Sequence, residues 1–144
     1  MEDRKVFIAD ASVLLKWVIR ETQDFEAAII LRNQFVEHKI DIIVPANCFA
    51  EICNILGREY QDIALSYISY LITSEITEYG ISLNLAHGAF LLMKKYKGIS
   101  FYDALYHALA IQKKSVFITA DEKYYKKTRK ERHIMLLKDY GKTR

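Results

Sequence analysis

Residues 6–15 read VFIADASVLL: a short β-branched and aromatic run, a bare Asp10, then an apolar stretch of helical character. A run of this kind, too short for a helix, reads as a buried strand. The chain therefore stops a strand on a carboxylate and carries straight on into a helix. One reading is a helix N-cap, for which Asp is well suited and which is worth about 1 kcal/mol. The other is a carboxylate delivered to the rim of a sheet, where open α/β proteins bind their ligands. The same junction recurs at residues 116–122, VFITADE, which ends a second strand near Asp121.

Working outward, KVFIA (5–9), DIIVP (41–45) and SVFIT (115–119) are the three clear strands. ITEYGI (76–81) reads as a short strand and IMLL (134–137) as a final one. Between them the spacing predicts helices over 11–22, 24–38, 46–58, 60–74, 82–96, 100–113 and 121–131. Asp24 is placed as the cap of the second, with Phe25, Ala28, Leu31 and Phe35 at helical intervals; Ile63, Tyr67 and Leu71 form one stripe of the fourth. One Pro and five Gly leave room only for short connections. Strands separated by helices or helix pairs call for an α/β fold, with a mostly parallel central sheet of four to five strands covered on both faces.

The chain has 144 residues, the length of one domain, and a hydrophobic content of 51%, enough for a substantial core. No apolar run approaches the roughly 18 residues of a membrane span. The charged start MEDRK and the early Asp10 argue against a signal peptide, so a soluble cytoplasmic protein is expected. Cys48 and Cys53 match no zinc or redox spacing and are expected to be small buried thiols. The net charge of +3 is unevenly spread, at −2 over residues 1–120 and +5 over residues 121–144. A basic end on a mildly acidic body is compatible with a nucleic-acid partner, and equally with a solvated terminal helix.

Four acids fall at the carboxyl edge of the expected sheet. Asp10 and Asp121 follow strands; Glu51 lies on the first turns of the helix leaving strand 41–45; Asp103 begins a helix in ISFYDALYHALA. Each has a bland explanation as a cap or a first-turn acid. Together those explanations hold only where the four acids stand well apart, because convergence is costly: one pair about 4 Å apart repels by about 4 kcal/mol at an effective dielectric of about 20. A divalent cation compensates such a cluster, and hard oxygen ligands suit Mg²⁺ or Mn²⁺. His38, His87, His107 and His133 are scattered and offer no zinc cluster. No Ser-His-Asp set, Cys-His pair or glycine-rich phosphate loop supplies a rival chemistry.

The ordered set IADASVLLKW, PANCFAEICNIL, ISFYDALYHALA and FITADEKY, spanning residues 7–125, resembles the PIN domain, and within it the VapC-type toxins of prokaryotic toxin–antitoxin pairs. The resemblance implies a single PIN-like domain over residues 1–144 and a metal-dependent endoribonuclease. It makes Asp10, Glu51, Asp103 and Asp121 the acidic quartet holding Mg²⁺ or Mn²⁺. Ser12 and Thr119 match supporting hydroxyl positions, and Asn54 resembles a partner of Glu51. His107 departs from the family, which more often has an apolar residue there, and is read as a helix-surface histidine. Glu122 should point away from the site, and Tyr124 and Tyr125 should pack in the core. Lys16, Arg20, Lys126, Lys127 and Arg129 are candidate RNA-backbone contacts. The implied partners are an RNA substrate, a small antitoxin and a second copy of the chain, the last through helices 60–74 and 82–96 with Tyr67, Tyr70, Phe90 and Met93. A stand-alone RNA-processing nuclease and a non-catalytic PIN-like binding module are the alternative functions.

Overall fold

A computed structural model describes residues 3–20 and 23–142. Five strands, β1 (Lys5–Ala9), β2 (Ile40–Pro45), β3 (Thr77–Tyr79), β4 (Val116–Thr119) and β5 (Ile134–Leu136), form one sheet in the order β3-β2-β1-β4-β5. Every pairing is parallel; Ile8, for example, lies opposite Ile43 on one side and Phe117 on the other. Seven α-helices flank the sheet among the described residues: α1 (Ala11–Leu15), α2 (Phe25–Val36), α3 (Asn47–Glu59), α4 (Gln61–Thr73), α5 (Leu83–Lys95), α6 (Phe101–Gln112) and α7 (Glu122–Thr128). Burial on both faces explains why the central strands are continuous apolar runs rather than alternating ones. Ile8, Ala9, Val44 and Ile118 have no exposed surface at all.

The α/β class and the parallel sheet expected from the sequence are thus present, with all five strands parallel. Several boundaries differ. The helix expected over 11–22 ends at Leu15, and residues 16–18 continue as a tighter turn in which Lys16, Trp17 and Val18 donate to the carbonyls three residues back. Residues 21 and 22 of that expectation lie outside the described residues. Asp24 stands at the start of α2, but its φ of 65° turns its side chain away from the capping position and it makes no side-chain cap bond. The helix expected over 121–131 is α7 to Thr128, then a 3-10 turn over Arg129–Glu131. At that junction Thr128 donates its hydroxyl to the carbonyl of Tyr124, a back-bond common where helices bend or end. Cys48 is buried as expected, but Cys53 is exposed. The core stripe of α3 is Cys48, Phe49, Ile52 and Leu56, and a residue five positions after Cys48 falls off it.

The topology decides where ligands go. From β1 the chain crosses to β2 on one side and later returns to β4 on the other, so the strand order reverses beside β1. The crevice beyond the carboxyl ends of β1 and β4 is the switch point at which open parallel sheets bind ligands. No helix among the described residues is long and apolar enough to cross a membrane.

Candidate active site

Asp10 is the first residue past β1, and its carboxylate does two things. Oδ1 accepts the backbone N–H of Val13 (3.1 Å), capping α1, and the hydroxyl of Ser12 (2.7 Å). Oδ2 accepts the hydroxyl of Thr119, which ends β4 (2.8 Å). Thr119 in turn accepts the backbone N–H of Asp121 (3.0 Å), and Asp121 caps α7 by accepting the N–H of Tyr124 (2.9 Å). The two strand-to-Asp junctions are therefore hydrogen-bonded to each other through one buried threonine. The capping reading of both acids is correct, and it does not compete with their display, since both caps also line one cleft.

Glu51 reaches the same place from α3. Its Oε2 accepts from Asn47 Nδ2 (2.6 Å) and its Oε1 from the Tyr106 hydroxyl (3.0 Å). Asp103 stands in the first turn of α6, where the Ser100 hydroxyl accepts its backbone N–H (3.0 Å) and so starts the helix. A cleft of about 540 Å³ is lined by all four acids together with Ser12, Asn54, Tyr106, Ala11, Leu15, Ile55 and Ala120. A somewhat larger concavity, about 610 Å³, lies at the opposite edge of the sheet by Lys5 and Val116 and contains none of these acids.

The charges in the cleft act on one another. Burial pushes the Asp10 carboxyl above its ordinary range, against the pull of the Ser12, Thr119 and Val13 hydrogen bonds, with a further push from Glu51. Asp103 is raised by burial first, then by Asp121 and Asp10. Burial also pushes the Tyr106 phenol strongly upward, so it donates to Glu51 as a neutral hydroxyl. Among the described residues no group of three or more His, Cys, Asp and Glu side chains is already arranged as a metal site. The donor chemistry nevertheless fits a hard divalent ion: four carboxylates, no thiolate, no imidazole, and mutual repulsion that a cation would relieve.

The surroundings of Glu51 differ from expectation. Asn54, expected as its partner, is exposed on the cleft wall without a hydrogen bond to Glu51; Asn47 and Tyr106 hold the carboxylate instead. The signal was available in spacing, since Asn47 precedes Glu51 by four positions and shares its face of α3. Tyr106 reaches Glu51 from another helix, a contact that periodicity alone does not show. His107 is the plainest correction. It is not on the surface but fully buried, between the Tyr124 hydroxyl (2.9 Å) and the Arg132 carbonyl (2.7 Å). Every side chain from Ala104 to Ala110 on α6 is buried, so this helix has no solvated face at position 107. Tyr124 is buried as expected, and Tyr125 half-buried. Glu122 lies outside the cleft lining and pairs with Lys138. Of the cations expected to meet RNA, Arg20, Lys126, Lys127 and Arg129 are exposed and Lys16 is half-buried; none lines the cleft. Lys127 donates to the Lys97 carbonyl (3.2 Å).

A parallel sheet whose switch point displays four acids from two strand ends and two helices defines a class, and the chain matches the PIN domain over residues 7–130; it belongs to that family. Its fold is that of VapC toxins. It is similar to a toxin–antitoxin complex from Klebsiella pneumoniae (TM-score 0.66, 15% identity, covering 90% of this chain and 96% of that one). It is also similar to VapBC2 from Rickettsia felis bound to a DNA fragment from their promoter (0.64, 12%, 91% and 96%). VapC20 from Mycobacterium tuberculosis, a sarcin-ricin loop cleaving toxin, is a third (0.61, 13%, 76% and 84%). No curated protein matches the chain in sequence.

Proposed function

We propose that this protein is a metal-dependent endoribonuclease, the toxin of a type II toxin–antitoxin pair, acting in the cytoplasm. The observation that carries the reading is that Asp10, Glu51, Asp103 and Asp121, far apart in sequence, line one cleft at the switch point of the sheet. These four would hold Mg²⁺ or Mn²⁺, which when bound activates water and neutralises a phosphodiester. The chain's own contribution is orientation. Ser12, Thr119 and the Val13 N–H fix Asp10, and Asn47 and Tyr106 fix Glu51, so neither carboxylate is free to rotate. Asp103 and Asp121 stand at the mouth with fewer donors on their oxygens, Asp121 being exposed where an RNA backbone would arrive.

The resemblance to toxin–antitoxin structures supports a small antitoxin as partner, placing a basic side chain among the acids in place of metal charge. Lys16, Arg20, Lys126, Lys127 and Arg129 remain the candidates for RNA phosphates. Self-association would use α4 and α5, where Tyr70 and Phe90 are 41% and 58% exposed, while Tyr67 and Met93 are half-buried and serve packing. The test is cleavage of structured and unstructured RNAs with Mn²⁺, beside Asp103→Asn purified identically. Wild type should cut, leaving 5′-phosphate and 3′-hydroxyl ends, and the variant should not; equal cutting by both would assign the activity to a contaminant.

A further inference from the structure

We infer that His107 is a positioning residue that sets where Asp121 stands relative to Asp103, a claim that rests on the nuclease reading above. Asp103 and His107 are four residues apart on α6 and therefore share a face. The carbonyl of Arg132 can only accept, so His107 Nε2 carries the proton and donates to it (2.7 Å). The neutral ring then presents Nδ1 as an acceptor for the Tyr124 hydroxyl (2.9 Å). Tyr124 lies in the first turn of α7, and its backbone N–H donates to the carboxylate of Asp121 (2.9 Å). One residue thus joins the imidazole at its hydroxyl and the cleft acid at its backbone.

The other side of the ring holds the far end of the same segment. Arg132 has φ 65° and ψ −169°, a backbone region that is essentially glycine's, and His133 follows at φ 57°. This corner delivers the chain into β5; besides the local bond from the Arg132 N–H to the Arg129 carbonyl (3.1 Å), three longer-range hydrogen bonds retain it: His107 to the Arg132 carbonyl, the Phe117 N–H to the His133 carbonyl (2.9 Å), and His133 Nδ1 to the Ser115 carbonyl (2.8 Å). His107 therefore bridges the start of α7 and the strained corner after it. An apolar residue at 107 facing Phe at 124 would fill comparable space but leave the Arg132 carbonyl without this donor. What the hydrogen bonds add is direction, because a fully satisfied buried network fixes one arrangement where apolar packing tolerates several. The arrangement fixed is that of the helix on which Asp121 is the cap.

Tyr124→Phe tests this while keeping the ring that packs edge-on to His107 and Phe117. Mn²⁺ binding is measured without RNA by electron paramagnetic resonance, alongside RNA kinetics and thermal melting; His107→Gln is the second variant, retaining a donor for the Arg132 carbonyl. Tyr124→Phe should bind Mn²⁺ roughly tenfold more weakly and lose kcat by a similar factor with KM for RNA unchanged. His107→Gln, if it folds, should fall in the same direction. A Tyr124→Phe protein that melts lower yet keeps wild-type Mn²⁺ affinity and kcat would make the network purely structural and overturn the inference. If wild type binds Mn²⁺ but cuts no RNA, the nuclease reading fails and the Mn²⁺ comparison still decides this one. If wild type does neither, both fall.

Discussion

Asp10 stands where three donors meet a carboxylate that burial would rather keep neutral. Its raised pKa means the folded protein holds that proton more tightly than the unfolded chain does. Its ionised form therefore costs stability, a cost absent below the ordinary carboxylate pKa and complete above the raised one. Asn at this position can still accept from Val13 and Ser12 and can donate to Thr119, so it fits without the charge. Asp10→Asn should melt a few degrees above wild type at neutral pH without metal, and that gap should close as pH falls into the carboxylate range. Mg²⁺ should raise the melting temperature of wild type and not of the variant. A gap independent of pH, seen by calorimetry from acid to neutral conditions, would show that the charge on Asp10 is not what the fold tolerates.

At the scale of elements, α4 is tied to the body by its packing on α3 and, among the described residues, by one long-range hydrogen bond, the Tyr67 hydroxyl donating to the Leu14 carbonyl at the end of α1 (2.5 Å). Tyr67→Phe removes that bond, leaving the Leu14 carbonyl to the Trp17 N–H, and should cost about 1 kcal/mol, read as a fall of about 3 °C in melting temperature. Nuclease activity should change little, since Tyr67 does not line the cleft. The elements also show what a sequence can and cannot announce. The strands were legible because doubly buried parallel strands are unbroken β-branched runs, and Asp10 and Asp121 because each interrupts such a run at its end. Glu51 and Asp103 followed from where their helices must begin. What escaped were side chains whose partners come from elsewhere: His107 looks like a lone polar residue on a helix until Tyr124 and Arg132 close over it, and Tyr106 like core until its hydroxyl meets Glu51. The short α1 escaped for a different reason, as four of its five residues are buried and its apolar run reflects that burial rather than helical periodicity.

Across the whole molecule, the acids gather at one edge of the sheet while the positive excess sits in residues 121–144, beginning with the helix that Asp121 caps. An RNA bound at the cleft would thus run from a metal-bearing centre toward exposed Lys126 and Arg129. Replacing Lys126, Lys127 and Arg129 together by Ala should weaken RNA binding across sequences alike. It should also flatten the salt dependence, by about 0.7 in log–log slope for each single-strand phosphate left without its cation. Filter binding over a range of salt concentrations reads this directly; an unchanged slope would return these cations to the role of a solvated helix end. The central claim is that four carboxylates separated by up to 111 positions in sequence act as one metal site. Crystals soaked in Mn²⁺ and measured for anomalous scattering test it most directly. A peak is expected inside the cleft, within coordination distance of oxygens from Asp10, Asp103 and at least one of Glu51 and Asp121. A cleft without a peak at millimolar Mn²⁺, or a peak elsewhere on the surface only, would contradict it.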